Sequence, residues 1–307
     1  MPTVKLYGGL GNQMFQYAMG YSFARRISAN SNNSSESLLF DTSWFERSNA
    51  EFVARNETPR TVALENLALG PIGRRRCSGS PNTGFLARLR RKVLGDRGSA
   101  YVPERQLFTI QRDAFTAKAD CCLDGHWQHP AYSEAVLDAL RQKFRPAGAM
   151  SPRLSELIAE FGGRDSIGIH VRLGDYVENS SVNAVHGTCT PAYYQKALKI
   201  ARNSFPHAPV LLFTDDTEQA RQRLDVADAI AVSDRGLEDY EEMELMKQMK
   251  ALILSNSSFS WWGARLSEIQ DSMIIGPLPW FDAYPASECL LLPNWFVLDK
   301  STGERLR

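Results

Sequence analysis

Two stretches of the 307-residue chain carry side chains suited to holding a strongly anionic group. In Ile169-His170-Val171-Arg172-Leu173-Gly174-Asp175-Tyr176, His170 and Arg172 stand at alternate positions ending an apolar run. A strand would carry both on one face before the chain turns through Gly174 and Asp175. The planar, permanently charged guanidinium matches the oxygens of a pyrophosphate, and an Arg172–Asp175 ion pair that only fixes the turn is the competing reading. In Ser255-Asn256-Ser257-Ser258-Phe259-Ser260-Trp261-Trp262, hydroxyl and amide groups follow another apolar run and open a helix. Capping side chains and free N–H donors then converge where a phosphate can sit. Phe259 suits the side of a base or ribose, while Trp261 and Trp262 read as packing.

Three smaller groups add to these. Gly9, Gly11, Asn12 and Gln13 follow the strand-like Val4-Lys5-Leu6-Tyr7 and offer backbone donors at a strand end, although glycines serve any tight strand-to-helix turn equally well. Asp215, in Thr214-Asp215-Asp216, can accept from ribose hydroxyls or a guanine amino edge, or can cap the helix opening at Thr217. Leu123-Asp124-Gly125-His126-Trp127-Gln128-His129-Pro130 reads as a polar, aromatic loop able to grip a sugar, or as a buried Trp beside a turn. Neighbouring carboxylates of an extended chain point to opposite sides, so Asp215 and Asp216 are poorly disposed to bridge one metal ion, and no metal site is expected.

Positioning these residues calls for strands at 166–171, 210–214, 229–232, 252–255 and 273–276, alternating with helices. Thr190-Pro191 supplies a cap and a first-turn proline, Thr217-Glu218 opens a second helix, and Leu237, Tyr240, Met243, Met246 and Met249 recur at helical spacing as a core stripe. Such a series predicts a doubly wound parallel sheet. The first half is less regular, with strands at 3–7, 38–41 and 121–127 and helices at 12–26 and 132–143 around an ambiguous middle. Arg145-Pro146-Ala147-Gly148 breaks the pattern, so two α/β domains, 1–147 and 148–307, are expected with a cleft between them.

Lys and Arg number 35 and Asp and Glu 35, which excludes a general nucleic-acid binder because no broad positive field is present. Positive charge is concentrated in 74–97, either a solvated basic segment or a contact for anionic headgroups or acceptor. Five cysteines without a C-x-x-C pair indicate neither a disulfide framework nor a zinc ribbon and fit a reducing cytoplasm. The absence of a signal-like start or membrane-length apolar run adds to that expectation, with peripheral contact at the inner membrane face through 74–97 kept open.

The start Gly8-Gly9-Leu10-Gly11-Asn12-Gln13-Met14-Phe15-Gln16-Tyr17-Ala18, the 125–128 segment, the 170–176 box and the 256–262 box followed by Ile274-Ile275-Gly276-Pro277 stand in one order along the chain. In that order and spacing the chain resembles the bacterial α-1,2-fucosyltransferases of glycosyltransferase family 11, from residue 8 to 277. The resemblance implies a GT-B fold of two Rossmann-like domains facing a cleft, with the acceptor side in 1–147 and the donor side in 148–307. It implies GDP-β-L-fucose as donor, inversion to an α-1,2 linkage on a terminal galactose, and no metal or other cofactor. By the same likeness Arg172 contacts the donor phosphates, His170 and Asp175 are the other fixed members of the catalytic box, and Ser257, Ser258 and Phe259 form the nucleotide loop. Gly9, Gly11, Asn12, Gln13, Asp215 and Asn256 complete the expected donor contacts. Two positions depart from the pattern: Leu173 replaces a second Arg, and His126 stands where Tyr is common. A nucleotide-sugar or glycan-binding protein without turnover, or a fucosyltransferase of different linkage, is the alternative.

Overall fold

The computed structural model describes residues 1–30, 37–54, 59–77, 100–173, 180–224, 226 and 228–307. The chain divides into two compact units, Met1–Ala147 and Gly148–Arg307. Each is built on a parallel sheet, as expected for two α/β domains.

The first unit contains β1 (Thr3–Lys5), β2 (Leu39–Asp41), β3 (Gly73–Arg74), β4 (Ala100–Pro103) and β5 (Cys121–Asp124), in the sheet order β3-β2-β1-β5-β4. Every pairing is parallel. The helix Leu10–Asn30 follows β1 and covers the sheet with Met14, Phe15, Ala18 and Met19, all buried. Gly20 faces β1 directly, since a Cβ there would meet a Val4 methyl at 2.3 Å.

The second unit contains β6 (Ile167–Val171), β7 (Val210–Thr214), β8 (Ile230–Ala231), β9 (Ala251–Ile253), β10 (Met273–Leu278) and β11 (Phe296–Asp299), ordered β11-β10-β9-β6-β7-β8 and wholly parallel. Starting from β6, the chain winds outward through β7 and β8, then returns to β9 on the other side of β6 and continues to β10 and β11. This is the doubly wound order. Side-chain caps fix the helix starts: at the expected Thr190-Pro191, Thr190 Oγ1 accepts from Tyr193 N at 3.3 Å, and Ser151, which the sequence reading did not single out, accepts through Oγ from Leu154 N at 3.1 Å ahead of Pro152. Met243, Met246 and Met249 are buried as a core stripe, whereas Leu237 and Tyr240 are half-buried. Gly263 lets its helix close onto Met246, whose Sδ would lie 2.4 Å from an added Cβ.

Several expectations change. The 3–7 strand ends at Lys5, the first helix begins at Leu10 and runs beyond Arg26, and the 132–143 helix splits into Ala131–Glu134 and Leu137–Lys143, where Val136 leaves helical geometry at φ −124°. Strands β3, β4 and β11 were not expected. Cys77 and Cys122 form a disulfide across 45 residues, against the expectation of no disulfide, so the cysteine count no longer speaks for a reducing compartment. Beyond the edge strand β3, Arg75 donates to Thr3 Oγ1 at 2.6 Å and pairs with Asp120 at 2.7 Å, so the segment that holds Cys77 runs back toward β1 and β5. Arg74, Arg75 and Arg76 pair with Glu65, Asp120 and Glu46, so the described start of the basic run is partnered within its own unit. Residues 78–99 lie outside the described residues. Among the described residues no helix is long and apolar enough to cross a membrane.

Candidate active site

In an open α/β sheet, ligands bind beyond the carboxyl ends of the strands where the winding reverses. In the second unit that point lies between β6 and β9, whose pairing sets Ile169 opposite Ile253. The two charged and hydroxyl-rich stretches leave the sheet at this place. His170 Nδ1 lies 2.6 Å from Ser255 Oγ, and the His170 and Phe259 rings are 5.6 Å apart. Burial, with the Arg172 charge adding to it, pushes the His170 pKa down to about 3. The ring is therefore neutral and weakly basic at ordinary pH, a poor proton acceptor that couples the two strand ends.

Arg172 Nη1 lies 3.0 Å from Asp215 Oδ2, both side chains about a quarter exposed, and Leu173 N donates to Asp215 Oδ1 at 2.9 Å. Asp215 thus orients Arg172 from the end of β7. The N-terminal cap beside it is Asp216, which accepts from Gln219 N at 2.9 Å and Gln219 Nε2 at 2.8 Å. The two carboxylates face different partners, and among the described residues no group of three His, Cys, Asp or Glu side chains could hold a metal ion. Leu173 packs in the core cluster, so this position turns inward in this chain. Asp175 and Gly174 lie outside the described residues.

Ser257 caps the helix Ser258–Arg265 by accepting from Phe259 N at 3.3 Å, and Ser258 and Phe259 are half-buried at its start. Asn256 is different. It is 1% exposed and its Nδ2 donates to His186 O and Gly187 O, each at 2.9 Å, so its amide clamps the 186–187 turn. Lys300 Nζ braces the same turn, donating to His186 O at 2.9 Å and pairing with Asp282 at 2.6 Å.

The first unit reverses its winding between β1 and β5. Gly8, with φ +77°, turns the chain, and a Cβ at Gly9 would meet nothing within 4 Å. Gln13 is fully buried: its Nε2 donates to Gly8 O and Thr61 O, each at 2.9 Å, and its Oε1 accepts from Leu64 N. It braces the turn rather than facing a ligand. Gly11 is buried, and the half-buried Asn12 accepts from Gln128 Nε2 at 2.8 Å, joining this turn to the 125–128 loop. One oxygen of Glu104 accepts from both His126 N at 2.7 Å and Trp127 N at 3.1 Å. Burial raises the Glu104 pKa and those two bonds oppose it. Gly125 is required here, because a Cβ would lie 2.3 Å from Glu104 Cβ. Trp127 is fully buried with the rare φ of +54°, a strained backbone of the kind that marks a pre-set loop. His126 packs edge-on to Tyr7 at 4.9 Å, and burial lowers its pKa. Asp124 beside it pairs with Lys5 at 2.7 Å and accepts from Tyr101 Oη at 2.5 Å.

Glu104 and Tyr7 escaped the sequence reading, as did Glu242, a half-buried carboxyl with its pKa raised to about 7 by burial. No local spacing marks Glu104. Glu242 hides in the acidic first turn of the helix Asp239–Met246.

An α-1,2-colitosyltransferase of Escherichia coli is 29% identical over 287 residues, covering 91% of this chain and 92% of that protein. The O-antigen biosynthesis glycosyltransferase WbnK of Escherichia coli is 25% identical, covering 95% of this chain and 99% of that protein. Among solved structures, POFUT1 in its apo form aligns with a TM-score of 0.44 at 10% identity over 90% of this chain and 97% of its own, a distant likeness on which nothing below depends. The sequence profile of glycosyl transferase family 11 matches residues 109–299, more than half of the chain and the whole of the β6 and β9 switch point. The chain belongs to glycosyl transferase family 11.

Proposed function

We propose that this family 11 glycosyltransferase moves L-fucose from GDP-β-L-fucose to the 2-hydroxyl of a terminal galactose, inverting the anomeric centre to an α-1,2 linkage. The observation that carries this reading is the convergence of the Asp215-oriented Arg172 and the capped helix start at Ser257 on the β6 and β9 strand ends. As the anomeric C–O bond breaks, negative charge grows on the departing diphosphate. A guanidinium and helix N–H donors fixed in advance stabilise that charge without reorganising. Arg172, Ser257, Ser258 and Phe259 take the donor in this proposal, with 148–307 as the donor side. His170 holds the rim together through Ser255. Gly9 and Asn12, expected as donor contacts, are assigned in this proposal to the acceptor side, 1–147, with the 125–128 loop that Gln128 joins to Asn12. The chemistry so described runs without a metal ion, and activity should survive EDTA.

A second donor is favoured by the name of the colitosyltransferase relative. Colitose is fucose without its 3-hydroxyl, so the same rim can serve either sugar. The deciding experiment offers GDP-fucose and GDP-colitose with a panel of galactosides and reads the product linkage by NMR. The proposal expects an α-1,2-fucosyl product and no product from a 2-deoxygalactoside. Preferential use of GDP-colitose would replace the donor and keep the linkage, whereas donor binding without product from any acceptor would favour a binding protein.

A further inference from the structure

Four side chains of the first unit stand beyond the carboxyl ends of four consecutive strands. In the sheet order β2-β1-β5-β4, Trp44 follows β2, Tyr7 follows β1, His126 follows β5 and Glu104 follows β4, each within three residues of its strand. The Tyr7 ring lies 4.9 Å from that of His126 and 6.4 Å from that of Trp44, at interplanar angles of 82° and 50°. Glu104 joins the group through Oε2, which accepts from His126 N and Trp127 N. All four are half-buried, and among the described residues no hydrogen bond reaches Tyr7 Oη, Trp44 Nε1, the His126 ring nitrogens or Glu104 Oε1. Their polar tips are left for solvent or a ligand.

Resting on the reading above of 1–147 as the acceptor side, we propose that Tyr7, Trp44, His126 and Glu104 form the subsite for the acceptor's terminal sugar. The rings pack on the sugar, Tyr7 Oη bonds one of its hydroxyls, and Glu104 Oε1 accepts from another. A pyranose presents an apolar C–H face edged by hydroxyls, and half-buried aromatic rings with polar tips match both parts. An anion is disfavoured here. Lys5 is held by Asp124 at 2.7 Å, and the Glu104 carboxylate repels a phosphate. Burial keeps the His126 ring neutral, so it offers one donor and one acceptor, the pair that hydroxyls can use.

Lactose titrated into the GDP-loaded full chain, read by saturation-transfer NMR with steady-state kinetics alongside, tests the subsite. Tyr7→Phe removes only a hydroxyl, while Glu104→Gln keeps an oxygen for the two amides and turns the other position from acceptor to donor. The first should raise the Kd and KM for lactose about three- to tenfold and the second about tenfold or more, the scale of one neutral and one charged hydrogen bond. GDP affinity and melting temperature should stay at wild-type values in both. A role in packing alone would leave lactose binding unmoved in these two variants, and that result would overturn the inference. So would a loss of GDP affinity equal to the loss for lactose. Transfer of a sugar other than fucose by wild type, with the same loss of lactose affinity in the variants, would sink the fucosyl reading and leave this subsite standing.

Discussion

The two switch points are built from opposite materials. In the second unit the rim between β6 and β9 is organised around a cation: Asp215 holds Arg172, neutral His170 holds Ser255, and a capped helix start adds N–H donors. In the first unit the rim between β1 and β5 is organised around acceptors and rings: Glu104 grips the His126 and Trp127 amides, Asp124 is shared by Lys5 and Tyr101, and Tyr7 meets His126 edge-on. One parallel-sheet plan thus yields a rim organised around a cation and a rim organised around acceptors, which we propose take the diphosphate and a neutral polyol respectively. The difference comes from which side chains follow each strand.

The most severe way to break the contrast is Arg172→Ala. Turnover should fall by about a hundredfold or more, as when one transition-state charge contact is removed, with little change in melting temperature. Near-normal kinetics with a lower melting temperature would reduce Arg172 to a structural ion pair. On the other rim, Gly125→Ala forces Glu104 away from the two amides it holds and should cost about 1–3 kcal/mol of stability in urea unfolding. Its kinetic mark should be a raised KM for the galactoside with GDP affinity held. A raised GDP Kd instead would blur the distinction between the rims.

Asn256→Ala sharpens the same comparison. Its buried amide donates to two carbonyls and so should be worth about 1–3 kcal/mol of stability, while GDP affinity of the folded protein stays near wild type. A large loss of GDP affinity at unchanged stability would return Asn256 to the ligand. Smaller still is the pH effect at His170. The folded ring resists protonation down to about pH 3 while the unfolded chain takes a proton near 6.5, so protons favour unfolding between those values and stability falls on acidification. His170→Gln should flatten the decline in the unfolding free energy from urea titrations between pH 6.5 and 5 by up to about 1.4 kcal/mol per pH unit. An unchanged slope would mean that the ring is not held neutral.

Much of this was legible in the sequence, for physical reasons. Apolar runs ending in Arg172, Thr214 and Ser255 announce strands that deliver polar residues to one edge, and Thr190-Pro191 announces its helix. Contacts made by sheet order were not legible. Arg172 meets Asp215 because β6 and β7 are neighbours, which no spacing along the chain reveals, while the local Arg172–Asp175 alternative falls on a residue outside the described ones. The Cys77–Cys122 bridge and the Glu104 grip on 126–127 are of the same long-range kind. Gln13 and Asn256 mislead for another reason: an amide suited to a ligand is equally suited to backbone carbonyls, and only burial tells which it serves.

The central claim is that the cationic rim of the second unit, and not the acceptor-rich rim of the first, receives the nucleotide diphosphate. Amide hydrogen exchange with and without saturating GDP tests it directly. Protection should rise at 172–173 and 257–260 and stay unchanged at 8–13 and 125–128. Protection concentrated at 8–13 and 125–128, with 172–173 and 257–260 unaffected, would contradict the claim and move the donor site to the first unit.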